Sequence, residues 1–134
     1  MQEHATAYAA QIVANAQALG QALDSEGITV EARDFGYTKS HQLAVNVAEH
    51  GGGVEVALRL EASDMIVNYN MLPKDTDPRN PSGLRIGVQE MTRYGMREPE
   101  MQRLAELMAA CIKGTPVQSE INTLRGGFSE LQYV

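Results

Sequence analysis

The chain begins with a stretch in which apolar residues recur at helical spacing and alanines fill many of the positions between them. The apolar stripe consists of Tyr8, Ile12, Leu19 and Leu23. Since alanine has a high helix propensity and the stripe lies on one side of a helix, the pattern predicts an amphipathic helix. Gly27 ends this predicted helix.

Two strands are predicted directly after the first helix. Residues 28–35 are rich in β-compatible side chains. Residues 41–47 alternate, with Leu43, Val45 and Val47 on one side and polar or small residues on the other. Three glycines at 51–53 then interrupt the chain.

A short helix is predicted over residues 54–62, where Val54, Ala57 and Leu58 share a face. The brief apolar run at 65–67 predicts a short strand, and residues 84–87 resume an extended pattern.

The segment between these two strands is a long polar loop with three prolines, Pro73, Pro78 and Pro81. A loop of this length inside a compact domain is more often functional than idle, and this one leads into Arg85.

The C-terminal part of the chain predicts two further helices. The first covers residues 99–112, and its apolar face consists of Met101, Leu104, Met108, Cys111 and Ile112. Thr115 and Gln118 have the spacing of a capping box at the start of the second helix. That helix is predicted to continue through Val117, Ile121, Leu124, Phe128 and Leu131.

The order of these elements predicts an α+β fold with a small, mainly antiparallel, three- to four-stranded sheet and helices packed on one face. With 134 residues the chain fits one domain, residues 1–134. Its hydrophobic content of 43% is that of a chain that can build a core, so disorder is not expected.

Charge and composition exclude several classes of function. The net charge is −6 and the 11 basic residues are scattered singly, so nucleic acid is not an expected partner. No apolar run approaches the about 20 residues that span a bilayer, so no membrane partner is expected. The single cysteine, Cys111, is expected to fill core space and suits a reducing compartment, which indicates a cytoplasmic protein. His4, His41 and His50 lack ligand spacing, so no metal site is predicted.

Several separated blocks of unusual residues resemble the C-terminal domain of the glycine (serine) hydroxymethyltransferase family, particularly its archaeal-type members. The blocks are Tyr-Thr-Lys-Ser-His-Gln at 37–42, Gly-Gly-Gly at 51–53, Asn-Tyr-Asn-Met-Leu-Pro at 68–73, Pro-Ser-Gly-Leu-Arg-Ile-Gly at 81–87 and Gln-Glu-Met-Thr-Arg-Tyr-Gly-Met at 89–96. They occur in the family's order over nearly the whole chain. The resemblance implies the C-terminal domain of a fold-type I pyridoxal-phosphate enzyme. It also implies a helix between domains at 1–26 and a small α+β domain at 27–134.

Arg85 is the main candidate site residue. A planar guanidinium at the start of a strand, among small neighbours, can bind a carboxylate with two parallel hydrogen bonds. The resemblance implies that this carboxylate belongs to an amino-acid substrate. The alternative is an exposed arginine paired with Asp75, Asp77 or Glu90.

Asn70 matches the family position that contacts the folate cosubstrate, and an amide can both donate to and accept from a pterin edge. Tetrahydrofolate is therefore a candidate cosubstrate. A turn-forming asparagine at a strand end is an equally good interpretation. His41, Arg93 and Tyr94 are interpreted as structural, and the methionines at 91, 96, 101 and 108 as core residues.

None of the three lysines, Lys39, Lys74 and Lys113, stands in the family's Schiff-base motif. The resemblance therefore implies that pyridoxal phosphate is held by a large domain or partner chain, and that this chain is not active alone. The main hypothesis is a small subunit or domain of a split enzyme acting on glycine, serine or threonine, within an oligomer. A stand-alone module that binds an amino acid or a protein, and a threonine aldolase or transaldolase without folate, are the alternatives.

Overall fold

The computed structural model describes residues 2–31 and 41–132. Its helices are α1 (Gln2–Ser25), α2 (Gly53–Glu61), α3 (Gln89–Arg93), α4 (Glu98–Ile112) and α5 (Gln118–Gly126), and a 3-10 turn lies at Ala48–His50. Its strands are β1 (Thr29–Val30), β2 (Gln42–Asn46), β3 (Asn68–Asn70) and β4 (Gly83–Gly87). Residues 32–40, which include half of the strand predicted at 28–35 and also Lys39, lie outside the described residues.

Within the described residues the strands form one four-stranded sheet in the order β1-β2-β4-β3, and every neighbouring pair is antiparallel. One face carries the apolar side chains of Val30, Leu43, Val45, Leu84 and Ile86, all of which are buried. The helices cover this face, and α1 packs along α4 beneath it. The predicted α+β class and antiparallel sheet are confirmed.

The core joins this sheet face to the inward sides of α1, α2 and α4. Leu19 and Leu23 of α1 are fully buried, and Val47 completes the inward alternation predicted for the second strand. The predicted apolar face of α4 is buried in full, including Cys111, which is a free thiol. Met96, Met101 and Met108 are buried as well, so their interpretation as core residues is confirmed.

The prediction of which face of α2 is buried was wrong. Val56, Ala57 and Leu60 are buried, whereas Val54 is 38% and Leu58 61% exposed. The first turn of the helix lies directly on the sheet, since a Cβ on Gly53 would stand 2.5 Å from the Gly83 carbonyl oxygen. This close approach fixes the rotation of the helix about its axis.

The third strand lies at Asn68–Asn70, not at the predicted 65–67. Asp64 adopts a positive φ of 64°, and the backbone N–H of Met65 donates to the Leu60 carbonyl at 3.0 Å. Met65 therefore closes α2 and enters the core, whereas Ile66 is exposed, before the chain becomes extended at Asn68.

The predicted capping box at Thr115 and Gln118 is also wrong. The N-cap of α5 is Val117, whose N–H donates to the buried Ser63 hydroxyl at 3.1 Å, and Gln118 donates to the Asp64 carboxylate. Contacts with the end of α2 thus replace the local cap. The helix ends at Gly126, so Phe128 and Leu131 lie beyond it.

A buried amide connects α1 to the segment that follows β4. The Asn15 side chain is 0% exposed and donates to the Thr92 hydroxyl at 2.9 Å and the Met96 carbonyl at 2.8 Å. Its oxygen accepts from the Gln11 amide at 2.9 Å, and Thr92 in turn donates to the Val88 carbonyl at 2.7 Å. Every polar atom of this network has a partner, so it can hold α1 in one position against α3.

We expect Asn15→Ala to lower the free energy of unfolding by about 1 to 3 kcal/mol, because it leaves the buried Met96 carbonyl without its donor. Urea denaturation followed by circular dichroism measures this change. Asn122→Ala is the matched control, since it removes an amide whose hydrogen bond to Asp64 is exposed, and its effect should stay within about 0.5 kcal/mol. Equal effects of the two substitutions would contradict a stabilising role for the buried network.

Candidate functional site

The second face of the sheet carries polar and small side chains, and we call it the open face. It consists of the strand residues on the side opposite the apolar face, namely Thr29, Gln42, Ala44, Asn46, Asn68, Asn70, Gly83, Arg85 and Gly87. Arg85 is exposed on this face, at the middle of β4, with Ala44 of β2 and Asn68 of β3 as its cross-strand partners. Arg85 therefore extends from an interior strand, β4, which forms hydrogen bonds with a neighbouring strand on each side.

Asn70 lies on the same face as Arg85. Its cross-strand partner is Gly83, two residues before Arg85, so Asn70 and Arg85 are diagonal neighbours, which usually places such residues about 7 to 8 Å apart. The antiparallel register thus brings together the two site residues that the sequence predicted. A ligand of the size of an amino acid with an attached group could contact both.

Arg85 makes no hydrogen bond or ion pair with any residue in the described ranges 2–31 and 41–132. Two of the acids considered as its partners are engaged elsewhere. Asp77 pairs with Arg79 at 3.4 Å, and Asp75 binds the chain at Leu72 and Ser82. Glu90 forms no ion pair with Arg85 either. The guanidinium of Arg85 is therefore available to a ligand anion.

The loop between β3 and β4 is held by a residue that the sequence analysis did not select. The Asp75 carboxylate accepts hydrogen bonds from the Leu72 and Ser82 N–H groups, each at 2.8 Å, and from the Ser82 hydroxyl. These bonds tie the two ends of the loop together just before β4. An aspartate three residues after Leu72, between Pro73 and Pro78, is the sequence signal that could have revealed this turn.

Leu72 is positioned by this loop against the open face. Its side chain is buried and lies within 2.8 Å of the point that a Cβ on Gly83 would occupy. Only glycine at position 83 leaves room for this packing. The loop thus forms an apolar edge beside Asn70 and Arg85.

The remaining candidates lie elsewhere. His41 is exposed before β2, and its carbonyl accepts the Val88 N–H at 3.2 Å. Tyr94 lines a polar recess of about 560 Å³ beside the C-terminal segment, and the Arg93 carbonyl accepts the Gln132 N–H. None of the cavities found among the described residues is lined by Arg85 or Asn70.

The described lysines do not fit a pyridoxal-phosphate site. Lys74 is exposed in the loop, and Lys113 donates from Nζ to the Glu26 carbonyl at 2.7 Å. Neither lines a cavity among the described residues. In the same part of the chain no group of three or more histidine, cysteine, aspartate or glutamate side chains could hold a metal ion. Of the helices described, none combines the length and apolar character needed to cross a bilayer.

Comparisons with known proteins agree on one family. A family model described as serine hydroxymethyltransferase matches residues 1–108. The serine hydroxymethyltransferase of Pyrobaculum calidifontis is 46% identical over 129 residues, and that of Saccharolobus islandicus 49% identical over 133 residues. Each of these matches covers 94% of this chain and 30% of the relative. The chain therefore spans about a third of the length of the relatives that it matches.

A solved structure shares the fold. The crystal structure of L-threonine transaldolase from Pseudomonas fluorescens in the internal aldimine state superposes with a TM-score of 0.81 at 30% identity. The match covers 94% of this chain and 30% of that protein. The resemblance that the sequence blocks indicated is confirmed by all these comparisons.

The Asp75 carboxylate gives the loop a measurable dependence on pH. Hydrogen bonds from the Ser82 hydroxyl, and then from the Leu72 and Ser82 N–H groups, hold the pKa of Asp75 below its ordinary value of 3.8. The folded state therefore gains stability from these bonds above pH 3.8, and it loses this stability as the pH falls through the lower folded pKa. Ser82→Ala should move the pKa of Asp75 back toward 3.8, as measured by carbon NMR of the carboxyl group.

Asp75→Asn should speed hydrogen exchange at the Leu72 and Ser82 amides at neutral pH. Both N–H groups donate to the same carboxylate oxygen, Oδ2, and a neutral carboxamide oxygen is a weaker acceptor than a charged carboxylate oxygen. Asp77→Asn is the matched control, since Asp77 contacts Arg79 and not the ends of the loop. An Asp75 that titrates at 3.8 or above would contradict this account of the loop.

Proposed function

The chain belongs to the serine hydroxymethyltransferase family, and from this membership we propose that it supplies Arg85 as the substrate-carboxylate arginine of a pyridoxal-phosphate-dependent enzyme. The substrate is glycine, serine or threonine, and the reaction is of the hydroxymethyltransferase or aldolase type. The cofactor is held by a large chain or domain, because the described lysines of this chain do not fit its site. The chain acts as the small subunit or domain of that enzyme.

The exposed and unpaired guanidinium of Arg85 on the open face is the observation that carries the proposal. Rigid pairing of β4 with β2 and β3 fixes the backbone on both sides of Arg85. A bidentate contact then fixes the direction of the substrate carboxylate, and with it the orientation of the bonds at the α-carbon. Covering the open face with a second protein surface would exclude water and strengthen this ion pair.

Loop residues 71–82 contribute a boundary to the same surface. Asp75 holds the loop closed, and Leu72 provides apolar contact next to Gly83. The substrate carboxylate would therefore bind at Arg85 while the amide of Asn70 remains within reach of a larger cosubstrate. The role proposed for this chain is to orient ligands, and it does not include proton transfer.

Two alternatives receive specific support. The fold shared with the L-threonine transaldolase of Pseudomonas fluorescens favours aldolase or transaldolase chemistry without folate as a second function. An unpaired Arg85 would also serve a stand-alone module that binds an amino acid without chemistry. Calorimetry of the isolated chain with glycine, serine and threonine separates this module from the split enzyme, because saturable binding at Arg85 without a large chain favours the module.

We expect Arg85→Ala to lower kcat/KM for the amino acid by about 10- to 100-fold, since a charge-assisted bidentate contact contributes about 1.5 to 3 kcal/mol. The loss should appear mainly as a raised KM. Steady-state kinetics of the chain combined with a lysine-bearing pyridoxal-phosphate chain measures it. Arg85→Lys should restore only part of the loss, because a point charge cannot replace the planar fork.

Arg103→Ala is the matched control, because Arg103 lies on α4 and pairs with Glu106 at 3.0 Å. Its kinetics should equal those of the unsubstituted chain. An unchanged KM in Arg85→Ala would refute the role of Arg85. Failure of the two chains to form a complex, with no gain in turnover, would count against the split enzyme.

Asn70→Ala distinguishes folate-dependent transfer from aldolase chemistry. If the amide contacts a pterin, we expect the tetrahydrofolate-dependent rate to fall about 2- to 10-fold, because the substitution removes one or two neutral hydrogen bonds. Cleavage of threonine in the absence of folate should not change. Asn122→Ala on α5 is the control, and a uniform loss in both reactions would contradict contact with folate.

A further inference from the structure

A second binding site is indicated by a recess on the opposite side of β4 from the open face. An apolar cavity of about 330 Å³ lies between the end of β4 and helices α3, α4 and α5. It is continuous with an adjoining space of about 550 Å³, because Glu90, Met91, Met96 and Arg125 line both. We call the two spaces together the methionine recess. Its inner volume is at the lower end of the range for small-molecule sites, about 300 to 1,000 Å³.

The inner part of the methionine recess is apolar. Ile86, Met91, Met108 and Leu124 contribute to its lining. Methionine side chains are unbranched and polarisable, so such a wall adapts to aliphatic, thioether or aromatic groups of somewhat different shape. A charged group would lose its hydration without compensation at this depth. The part of a ligand that enters must therefore be apolar.

The charged groups of the recess lie at its rim, where both of its parts share Glu90 and Arg125. Neither of these side chains makes a hydrogen bond or ion pair within the described ranges, and they do not pair with each other. The third charged residue, Asp64, already accepts hydrogen bonds from Gln118 and Asn122. The rim thus offers one cation and one anion that are not paired with each other.

We propose that the methionine recess binds a free α-amino acid with an apolar side chain. Its carboxylate pairs with Arg125, its ammonium group pairs with Glu90, and its side chain enters the apolar part. A fatty acid would leave Glu90 without a counter-charge, and an amine would leave Arg125 without one. The occupant contacts Ile86 and Gly87, the two residues after Arg85. The proposal stands independently of the function of the open face.

Calorimetry of the chain with L-leucine, L-methionine and L-phenylalanine tests the proposal. We expect saturable binding of at least one of them, with a dissociation constant on the order of 1 mM or below. 4-Methylpentanoic acid and isopentylamine, which are leucine without its ammonium group and without its carboxylate, should bind roughly tenfold more weakly than leucine, as should glycine, which lacks the side chain. Absence of saturable binding, or equal binding of 4-methylpentanoic acid and leucine, would overturn the proposal.

Variants locate the binding. Arg125→Gln and Glu90→Gln should each weaken it roughly tenfold, whereas Arg103→Gln should leave it unchanged. Arg85→Ala should also leave it unchanged, which separates this site from the open face. Loss of binding in Arg85→Ala with retention in Arg125→Gln would assign the amino acid to the open face and refute the recess.

Methyl NMR of the methionines gives a readout that does not depend on the variants. The methyl resonances of Met91, Met96 and Met108 should shift on binding, since these residues line the recess. Met101 is fully buried in the same core but does not line the methionine recess. Met71 is exposed in the loop after β3 and does not line the recess either. Shifts at Met101 or Met71 of the same size as those in the recess would refute specific occupation.

Discussion

The antiparallel pairing of β4 with both β2 and β3 is the constraint on which the rest of the structure depends. Successive residues of β4 point to opposite faces, so Leu84 and Ile86 enter the core while Arg85 points to the open face. Burial of each apolar side chain stabilises this register by about 1.5 to 3 kcal/mol. A slip of one residue would bury a guanidinium and expose two core residues, and the energetic cost makes the register unique.

The helices maintain this arrangement from one side. Gly53 lets α2 contact β4 directly, and the buried Asn15 network binds α1 to the segment that follows β4. Both contacts lie on the core side of the sheet. The helices therefore leave the open face uncovered, so that the loop at 71–82 borders it and the proposed large chain can bind to it. One strand can therefore serve the stability of the domain and the binding of a substrate, because the two roles use alternate residues.

The two proposed sites follow from the same alternation. The open face combines a free guanidinium with amides, which suits a small carboxylate and a polar cosubstrate. The methionine recess combines an apolar interior with two opposite charges at Glu90 and Arg125, which suits a zwitterion with an apolar side chain. Family membership supports the first proposal. The second rests on the local chemistry of the recess alone.

Periodicity and turn chemistry in the sequence predicted the helices α1 and α4, the inward alternation of β2 and the α+β class, because these depend on residues that are close in the chain. The family was indicated by the resemblance of separated sequence blocks to known members. The sequence also identified Arg85 and Asn70, and whether they bind ligands stays a prediction. The buried side of α2, the position of β3, the start of α5 and the function of Asp75 were decided only by the tertiary structure. Each of these depends on contacts between distant segments, such as Gly53 with Gly83 or Val117 with Ser63, and such contacts can override local preferences because they satisfy buried polar groups and fill the core.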